Sequence, residues 1–537
     1  MSAAALLDEL RAALGPAAVL TDDAALGLAS GDLFVTGVRP LAVVRPGDGA
    51  GVAAALVAAA NHGHAVIPRG GGLSYTGGYT PPHGRTISFD LSAMNRVLAV
   101  AAEDMTVTVQ AGTTWRDIDL ALRTRGLRLP FFGTFSGAGA TVGGGLSHGA
   151  LFFGSARYGP AAEQVLGLEV ALADGRLLRT GTQAVRAAPK PYLRSYGPDL
   201  TGLFVHDGGA FGIKTEASFR LIQGPRAEDC ASFAFASLPA AAAALSAVAR
   251  AELAEEVYVL DPATTGATDL ETGAALRTGL RLLRGAGGVG GALRLMADVA
   301  RGGQRPIPPG AWSLHLVAAG RSSAAVAADL AAARAIARDH GGTAVAATIP
   351  RATRADLFAS LDGVLDTDGR RWAAVNAKVA HGDAQALLAA FDALIVRHRP
   401  AMAALGVSVT QLVSAVGNHC FSYEVVFHWP DSWQPLHRAA ASAAYLAARV
   451  EPVASPAARA LVDELHAATI ALFRARGAAS NQLGRCYPFL DVLEPATATL
   501  LGDLKKLLDP RGMMNPGVLG FAAPAADGTS PPDPPSD

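Results

Sequence analysis

The pattern of apolar and polar positions changes once along the chain, near residue 225. Before that point, short alternating or wholly apolar runs stand between glycine-rich turns. Leu41–Arg45, Ala65–Pro68, Thr86–Leu91, Met105–Gln110, Leu166–Leu172 and Ile213–Arg220 are predicted strands on that basis. The first forty residues read mainly as helix, and Asp48 caps a second predicted helix. Asp174-Gly175 marks a hairpin turn. After residue 225, strands alternate with alanine-rich helices over 239–252, 322–340 and 383–396. Cys230–Ala249 is uncharged over the length of a membrane span, but Ser232, Ser237, Pro239 and Ser246 interrupt it. It reads better as a strand from Ser232, then a helix with Ser237 at its start and Pro239 in its first turn. Residues 264–310 carry little pattern and read as a flexible excursion, and Ala522–Asp537 reads as a disordered tail.

The 537 residues exceed what one core organises. The 45 basic and 46 acidic residues give a net charge of −1, which supports neither a nucleic-acid nor an anionic-membrane partner. The N-terminal Met1–Glu9 lacks the basic region of a secretory signal. Cys230, Cys420 and Cys486 are too widely spaced for a disulfide framework, zinc ribbon or iron–sulfur cluster. A cytoplasmic protein without a transmembrane segment is the expectation, and a homodimer is compatible with it.

Candidate chemistry lies in three glycine-rich loops. Residues 68–79 hold five glycines in twelve positions, with Arg69 and Ser74 as further donors. Such a loop bends through positive φ and brings backbone N–H groups to an anion. Gly137–Gly145 is the second loop, and Gly208–Gly212 runs into the strand from Ile213. Three such loops suit one extended, phosphorylated ligand.

The ordered set Pro68–Tyr79, Thr141–Gly145, Phe153–Gly159, Glu169–Gly175 and Gly208–Ile213, closed by Leu508–Gly517, resembles the vanillyl-alcohol oxidase / p-cresol methylhydroxylase (PCMH) flavoproteins. Within them it looks most like the FAD-linked D-lactate and glycolate type of 2-hydroxy-acid dehydrogenase. The resemblance spans roughly residues 36–521. It implies an α+β, two-domain PCMH-type fold, with an FAD-binding domain and an inserted α/β cap over the flavin. The expected boundaries are 1–225 for the FAD domain, 226–495 for the cap, 496–521 for a segment returning to the FAD domain, and 522–537 for the tail. The cofactor implied is FAD. Its expected contacts are Pro68, Arg69, Gly70, Gly71, Gly72, Leu73 and Ser74, then Thr141, Gly143, Gly144 and Arg157, then Gly209, Gly212, Ile213 and Asn515. Leu73 stands where some members carry a flavin-linking histidine, so non-covalent FAD is expected.

In the cap, Trp372–His381 alternates as a strand and puts Asn376 and Lys378 on one face. Gly417–His428 is a second predicted strand, whose alternation groups His419, Phe421, Tyr423 and Val425. His419 follows Gly-Asn as a catalytic-region histidine does in the hydroxy-acid relatives, and is the expected base. Arg485 and Tyr487 stand where relatives bring residues from the flavin domain into the active site; they are expected to bind a substrate carboxylate and hydroxyl. Some relatives hold a divalent metal through two nearby histidines and a later Glu-His pair. Here one histidine stands at the first place and Ser480–Gly484 at the second, so no metal is expected. The function implied is hydride transfer from the CH–OH carbon of a small-molecule 2-hydroxy acid to FAD, with oxygen, a quinone or a cytochrome as electron acceptor. A phenolic or benzylic alcohol oxidase and a non-catalytic flavin-binding partner subunit remain alternatives.

Overall fold

The structure is a computed structural model and describes residues 3–187, 189–266, 307–358 and 360–522. Nearly all of the expected excursion at 264–310 and of the tail at 522–537 therefore lies outside the described residues.

Among the described residues, the first half builds two larger sheets and a two-stranded ribbon of Leu127–Arg128 with Ile222–Gln223. Val19–Leu20, Ala42–Val44, Thr86–Asp90 and Ala65–Arg69 form one in that spatial order, parallel but for its first pair. The parallel strands are apolar because both faces are covered. The helix Gly49–Asn61 makes the crossover. It begins where the Asp48 carboxylate accepts from Gly51 N at 2.8 Å. Its Val52 and Leu56 pack with Leu6 and Leu10 of the first helix, Ala3–Leu14. The helical reading of the first forty residues holds for Ala3–Leu14 and Asp23–Ala29. The stretch between them also contributes the edge strand Val19–Leu20. The second sheet is antiparallel, in the order Val97–Ala101, Thr106–Gln110, Ile213–Arg220, Val165–Ala171 and Leu177–Arg179. The hairpin joining the last two turns through Gly175 at φ +84°. Trp115 seals the core beneath, edge-on to Phe131 at 5.0 Å.

Among the described residues, the second half forms a seven-stranded antiparallel sheet. Its order is Thr343–Val345, Ala227–Phe235, Trp312–Gly320, Glu256–Leu260, Ser408–Val416, Cys420–Trp429 and Arg371–Ala380. The helix Leu238–Arg250 starts at Ser237, whose hydroxyl caps Ala240 N, with Pro239 in the first turn. One sheet face buries Phe421, Tyr423, Val425 and Phe427 against Leu387 and Phe391 of the helix Ala384–Ala404 and Leu465 and Phe473 of Pro456–Ala475. Each such aromatic burial stabilises by about 1.5–3 kcal/mol. The even-numbered positions therefore point the other way, toward the first domain.

The chain then returns. Met514 bridges Val66 in parallel, and Asn515 N donates to Val66 O at 2.8 Å, extending the edge of the first sheet.

Candidate active site

A cavity of about 330 Å³ lies between the glycine loops and the inner face of the cap sheet. Its floor is the run Pro68–Tyr75 together with Thr141, Gly143 and Gly144. The two loops pack so closely that a Cβ on Gly70 would stand 2.2 Å from Thr141 Oγ1, and one on Gly71 would stand 2.0 Å from Gly139 O. Only glycine permits this approach. Among the described residues, the backbone N–H groups of Gly71, Gly72, Leu73 and Ser74 donate to no protein acceptor. Unpaired backbone donors are rare in folded chains, so four in a row at a cavity mark an anion cradle. These residues fit the diphosphate of FAD.

The roof is made by alternate residues of three neighbouring cap strands. Trp372 and Lys378, Ser422 and Glu424, and Leu412 and Ser414 all face the cavity. The register sets Lys378, Ser422 and Ser414 in one cross-strand row, and Asn376, Glu424 and Leu412 in the next. Phe135, Phe152 and Leu361 form an apolar side wall. Asn481 and Gln482 enter from the segment before the terminal helix.

Two hydrogen-bonded sets of polar groups lie on this roof and floor, Lys378 with Asn376 and Gln482 with Tyr75 and Ser74. Lys378 Nζ donates to Asn376 Oδ1 at 3.1 Å and to no other acceptor among the described residues. Burial pulls its ammonium down to about 8, against the opposing pull of Glu424. Burial likewise raises Glu424 above the usual carboxylate range, against Lys378 and a hydrogen bond from Tyr75. Both shifts run toward the neutral form, so desolvation outweighs the mutual attraction of the pair. Gln482 Nε2 donates to Tyr75 Oη at 3.2 Å, and Ser74 Oγ donates to Gln482 Oε1 at 3.4 Å. Gln482 sits at φ +55°, a conformation that is uncommon outside glycine and concentrates at functional sites. His148 also lines the cavity, and burial drops it to about 4, so it is neutral near pH 7.

The structure brings together only some of the residues expected here. Pro68 through Ser74, Thr141, Gly143, Gly144, Gly212 and Lys378 line the cavity. Arg69 lies over the Tyr79 ring at 4.7 Å and donates to Gly31 O at 3.2 Å, bracing the loop from its side. Gly209 packs on Pro68, and Ile213 is buried among Val66, Ala171 and Met514. Arg157 is directed to the cap, with Nη1 donating to Ala319 O at 2.6 Å. Asn515 Nδ2 binds Gly78 O at 2.7 Å and Gly208 O at 2.5 Å, joining two loops.

Three expected catalytic residues stand elsewhere. His419 is exposed in the turn before Cys420–Trp429 rather than inside a strand, with its ring against Asn418 Oδ1 at 3.3 Å. Its supposed face mates Phe421, Tyr423 and Val425 turn into the cap core, since a buried apolar face outcompetes one that is half polar. Arg485 spends its guanidinium on Gly77 O, Asn515 Oδ1 and Pro516 O. Tyr487 Oη accepts from Asn376 N at 2.8 Å and is buried behind the roof. Tyr75, His148, Glu424 and Gln482 were not singled out from sequence. The even-numbered alternation 422/424 was the available signal for Glu424.

Among the described residues, no group of three or more His, Cys, Asp or Glu is placed to hold a metal ion. No described helix is long and apolar enough to cross a membrane.

Comparison with known proteins agrees with this geometry. Residues 40–181 match the FAD binding domain family. The chain is 36% identical over 183 residues to D-lactate dehydrogenase [cytochrome] 1, mitochondrial, of Saccharomyces cerevisiae, covering 34% of this chain and 30% of that protein. It is 30% identical over 214 residues to glycolate oxidase subunit GlcD of Bacillus subtilis, covering 40% of this chain and 44% of that one. The matches thus span less than half the length of these relatives. Among solved structures, p-cresol methylhydroxylase with substrate bound superposes with a TM-score of 0.73 at 18% identity, over 97% of each chain. The fold is that of the PCMH-type flavoproteins, an α+β FAD domain carrying a cap. More particularly, residues 40–181 are an FAD binding domain, and FAD is the cofactor.

Proposed function

We propose that the protein is an FAD-dependent oxidoreductase that removes a hydride from the CH–OH carbon of a small 2-hydroxy acid. Bound FAD supplies the two-electron acceptor. The observation that carries the reading is Lys378, a half-buried ammonium that shares the cavity with the glycine loop and has one protein acceptor for its three donors among the described residues. Two free N–H groups there suit a substrate carboxylate, held by a charge-assisted bond. The cap sheet covers the cavity from one side, and Phe135 and Phe152 give it an apolar wall. The named activities of the two sequence relatives also support this substrate class. FAD is held non-covalently, with Leu73 where a linking histidine would stand. Oxygen, a quinone or a cytochrome takes the electrons onward. A cytoplasmic location is the reading that the three free cysteines support, and a homodimer is compatible with it.

The alternative substrate, a phenolic or benzylic alcohol, draws on the aromatic wall and on the fold shared with p-cresol methylhydroxylase. Its proposed phenolate pocket of Arg485 and Tyr487 lies off the cavity, which weighs against it. Anaerobic mixing with a panel of 2-hydroxy acids, phenols and neutral alcohols tests the choice. Bleaching of the flavin by hydroxy acids alone is expected. Bleaching by neutral phenols, with none by any hydroxy acid, overturns it.

A further inference from the structure

We infer that Glu424 is the group that takes up the substrate's hydroxyl proton, with Tyr75 as its positioning residue. The inference rests on the hydroxy-acid reading above. Glu424 lines the cavity one cross-strand row from Lys378, since Glu424 pairs with Asn376 while Lys378 pairs with Ser422. A substrate carboxylate at Lys378 therefore places the neighbouring carbon and its hydroxyl toward Glu424. His148 also lines the cavity, but burial drops it to about 4, which makes it a weak proton acceptor, and it stands on the opposite, flavin-domain side. Glu424 instead faces Tyr75 of that domain across the cavity, where Gln482 Nε2 donates to the Tyr75 hydroxyl and Ser74 Oγ donates to Gln482. This chain crosses from the phosphate loop to the cap strand, so it sets the base against the cofactor rather than against the cap alone. The Glu424 carboxylate is half-buried and is not fully paired among the described residues, so it keeps proton-accepting capacity that a fully paired one lacks.

The step balances as follows. The O–H bond breaks and its proton goes to the Glu424 carboxylate. The C–H bond breaks with its electron pair, for which bound FAD would supply the two-electron acceptor. A C=O bond forms, so the organic product is a 2-oxo acid.

Charged and titratable groups facing Glu424 are Lys378 on the adjacent strand, Tyr75 from the loop and Tyr487 from behind the roof. Cys420 and His206 act on Lys378 beyond them.

The test uses oxalate, which cannot be oxidised, and follows its binding by the perturbation of the flavin spectrum in holoenzyme. One oxalate carboxylate takes the place of the substrate carboxylate, and the other takes the place of the hydroxyl. That second carboxylate is repelled by ionised Glu424. Wild-type affinity should therefore fall as pH rises through the Glu424 ionisation, on the acid side of Lys378's own titration, by up to about tenfold per pH unit. Glu424→Gln should bind oxalate with a flat profile over that range, retain its FAD, and lose at least about 100-fold in the rate of flavin reduction by hydroxy acid. Tyr75→Phe should keep the wild-type profile but move it to higher pH, because a donor to the ionised carboxylate is gone. A flat wild-type profile, or an unchanged reduction rate in Glu424→Gln, overturns the role of Glu424 and leaves the substrate reading intact. Oxalate that fails to bind wild type at any pH overturns both.

Discussion

Arg485 donates to Asn515 Oδ1 at 2.6 Å while its other nitrogen reaches the carbonyl of Gly77. One guanidinium thus ties the segment after the cap to the phosphate loop and to the returning C-terminal strand. Burial lowers its pKa only to about 10, so it stays charged near neutrality. Asn515 continues the tie to Gly78 O and Gly208 O. The pair closes the flavin domain from behind rather than facing substrate.

Replacing Arg485 should therefore act on folding and FAD retention. Arg485→Met leaves three buried carbonyl-type acceptors without their donor and should cost about 2–4 kcal/mol. Denaturant titration should show that loss, and gel filtration should show flavin dissociating. In the fraction that keeps FAD, KM for substrate should be unchanged. A large KM rise at full FAD content and wild-type stability would place Arg485 on the substrate instead.

FAD should be released by acid precipitation, leaving the colour in the supernatant. The cradle offers only N–H donors and the Ser74 hydroxyl at the loop, with Leu73 as its apolar member. Yellow protein in the pellet would show a covalent link that this loop chemistry does not provide. Turnover should also survive dialysis against a chelator. Activity lost to EDTA and restored by zinc or manganese would place a metal in the site.

The legible part of this protein was its periodic and glycine-rich part. Strands such as Ala65–Arg69 and caps such as Asp48 and Ser237 are local decisions, and a single chain window states them. The glycine loops were legible for the same reason, since no side chain could stand where Gly70 and Gly71 meet their neighbours. What was not legible was which face of a cap strand meets the flavin domain. Cys420–Trp429 alternates cleanly, with Phe421, Tyr423, Val425, Phe427 and Trp429 on the core face and Ser422, Glu424 and His428 on the other, but the strand alone does not state that this polar face meets the flavin domain rather than solvent. His419 was misplaced because Gly417, at φ +60°, starts a tight turn that ends the preceding strand at Val416. Arg485 shows a third limit. A charged residue near a functional segment can be wholly occupied by backbone carbonyls that no local pattern reveals.

Lys378→Met should separate substrate binding from stability. In the folded protein its pKa lies near 8, below the unfolded value of 10.5. The unfolded chain therefore holds the proton more readily, and stability falls as pH drops from about 10.5 to about 8. At pH 7 the whole penalty is present, so the methionine variant should melt higher than wild type. The same variant should lose at least about tenfold in kcat/KM for hydroxy acids, equivalent to about 1.4 kcal/mol. In wild type, KM should rise as pH climbs through about 8, when the ammonium is lost. A variant that binds hydroxy acids normally would remove Lys378 from the site.

The contact between the two domains should be the most pH-sensitive part of the fold. Phe132 of the flavin domain lies between two guanidinium groups, Arg128 at 4.8 Å and Arg354 of the cap at 4.7 Å. Arg354 also pairs with Glu228, Glu255 and Glu256, at 2.5 Å to each of the last two. Burial pushes Glu255 upward, but Arg128 and Arg354 outweigh it and hold it below its ordinary range. For Glu256 burial wins, and with Glu255 and Glu228 beside it the group rises to about 7. The two signs oppose. Glu255 contributes stability above its unfolded pKa, which is lost on acidification through its lower folded value. Glu256 costs stability as pH rises from about 4.5 through about 7, because the folded state resists its ionisation. Glu256→Gln should therefore stabilise the protein at pH 8 and change little at pH 5. Arg354→Met should cost about 3–5 kcal/mol near neutral pH, since it strands two buried carboxylates. Acid should partly rescue it, by protonating those carboxylates. Urea titrations of both variants at the two pH values give the measurement. An Arg354→Met loss that is small, or equal at both, would mean that water already reaches this cluster and that its ion pairs do not stabilise the cap surface on which Phe132 and Arg128 of the flavin domain rest.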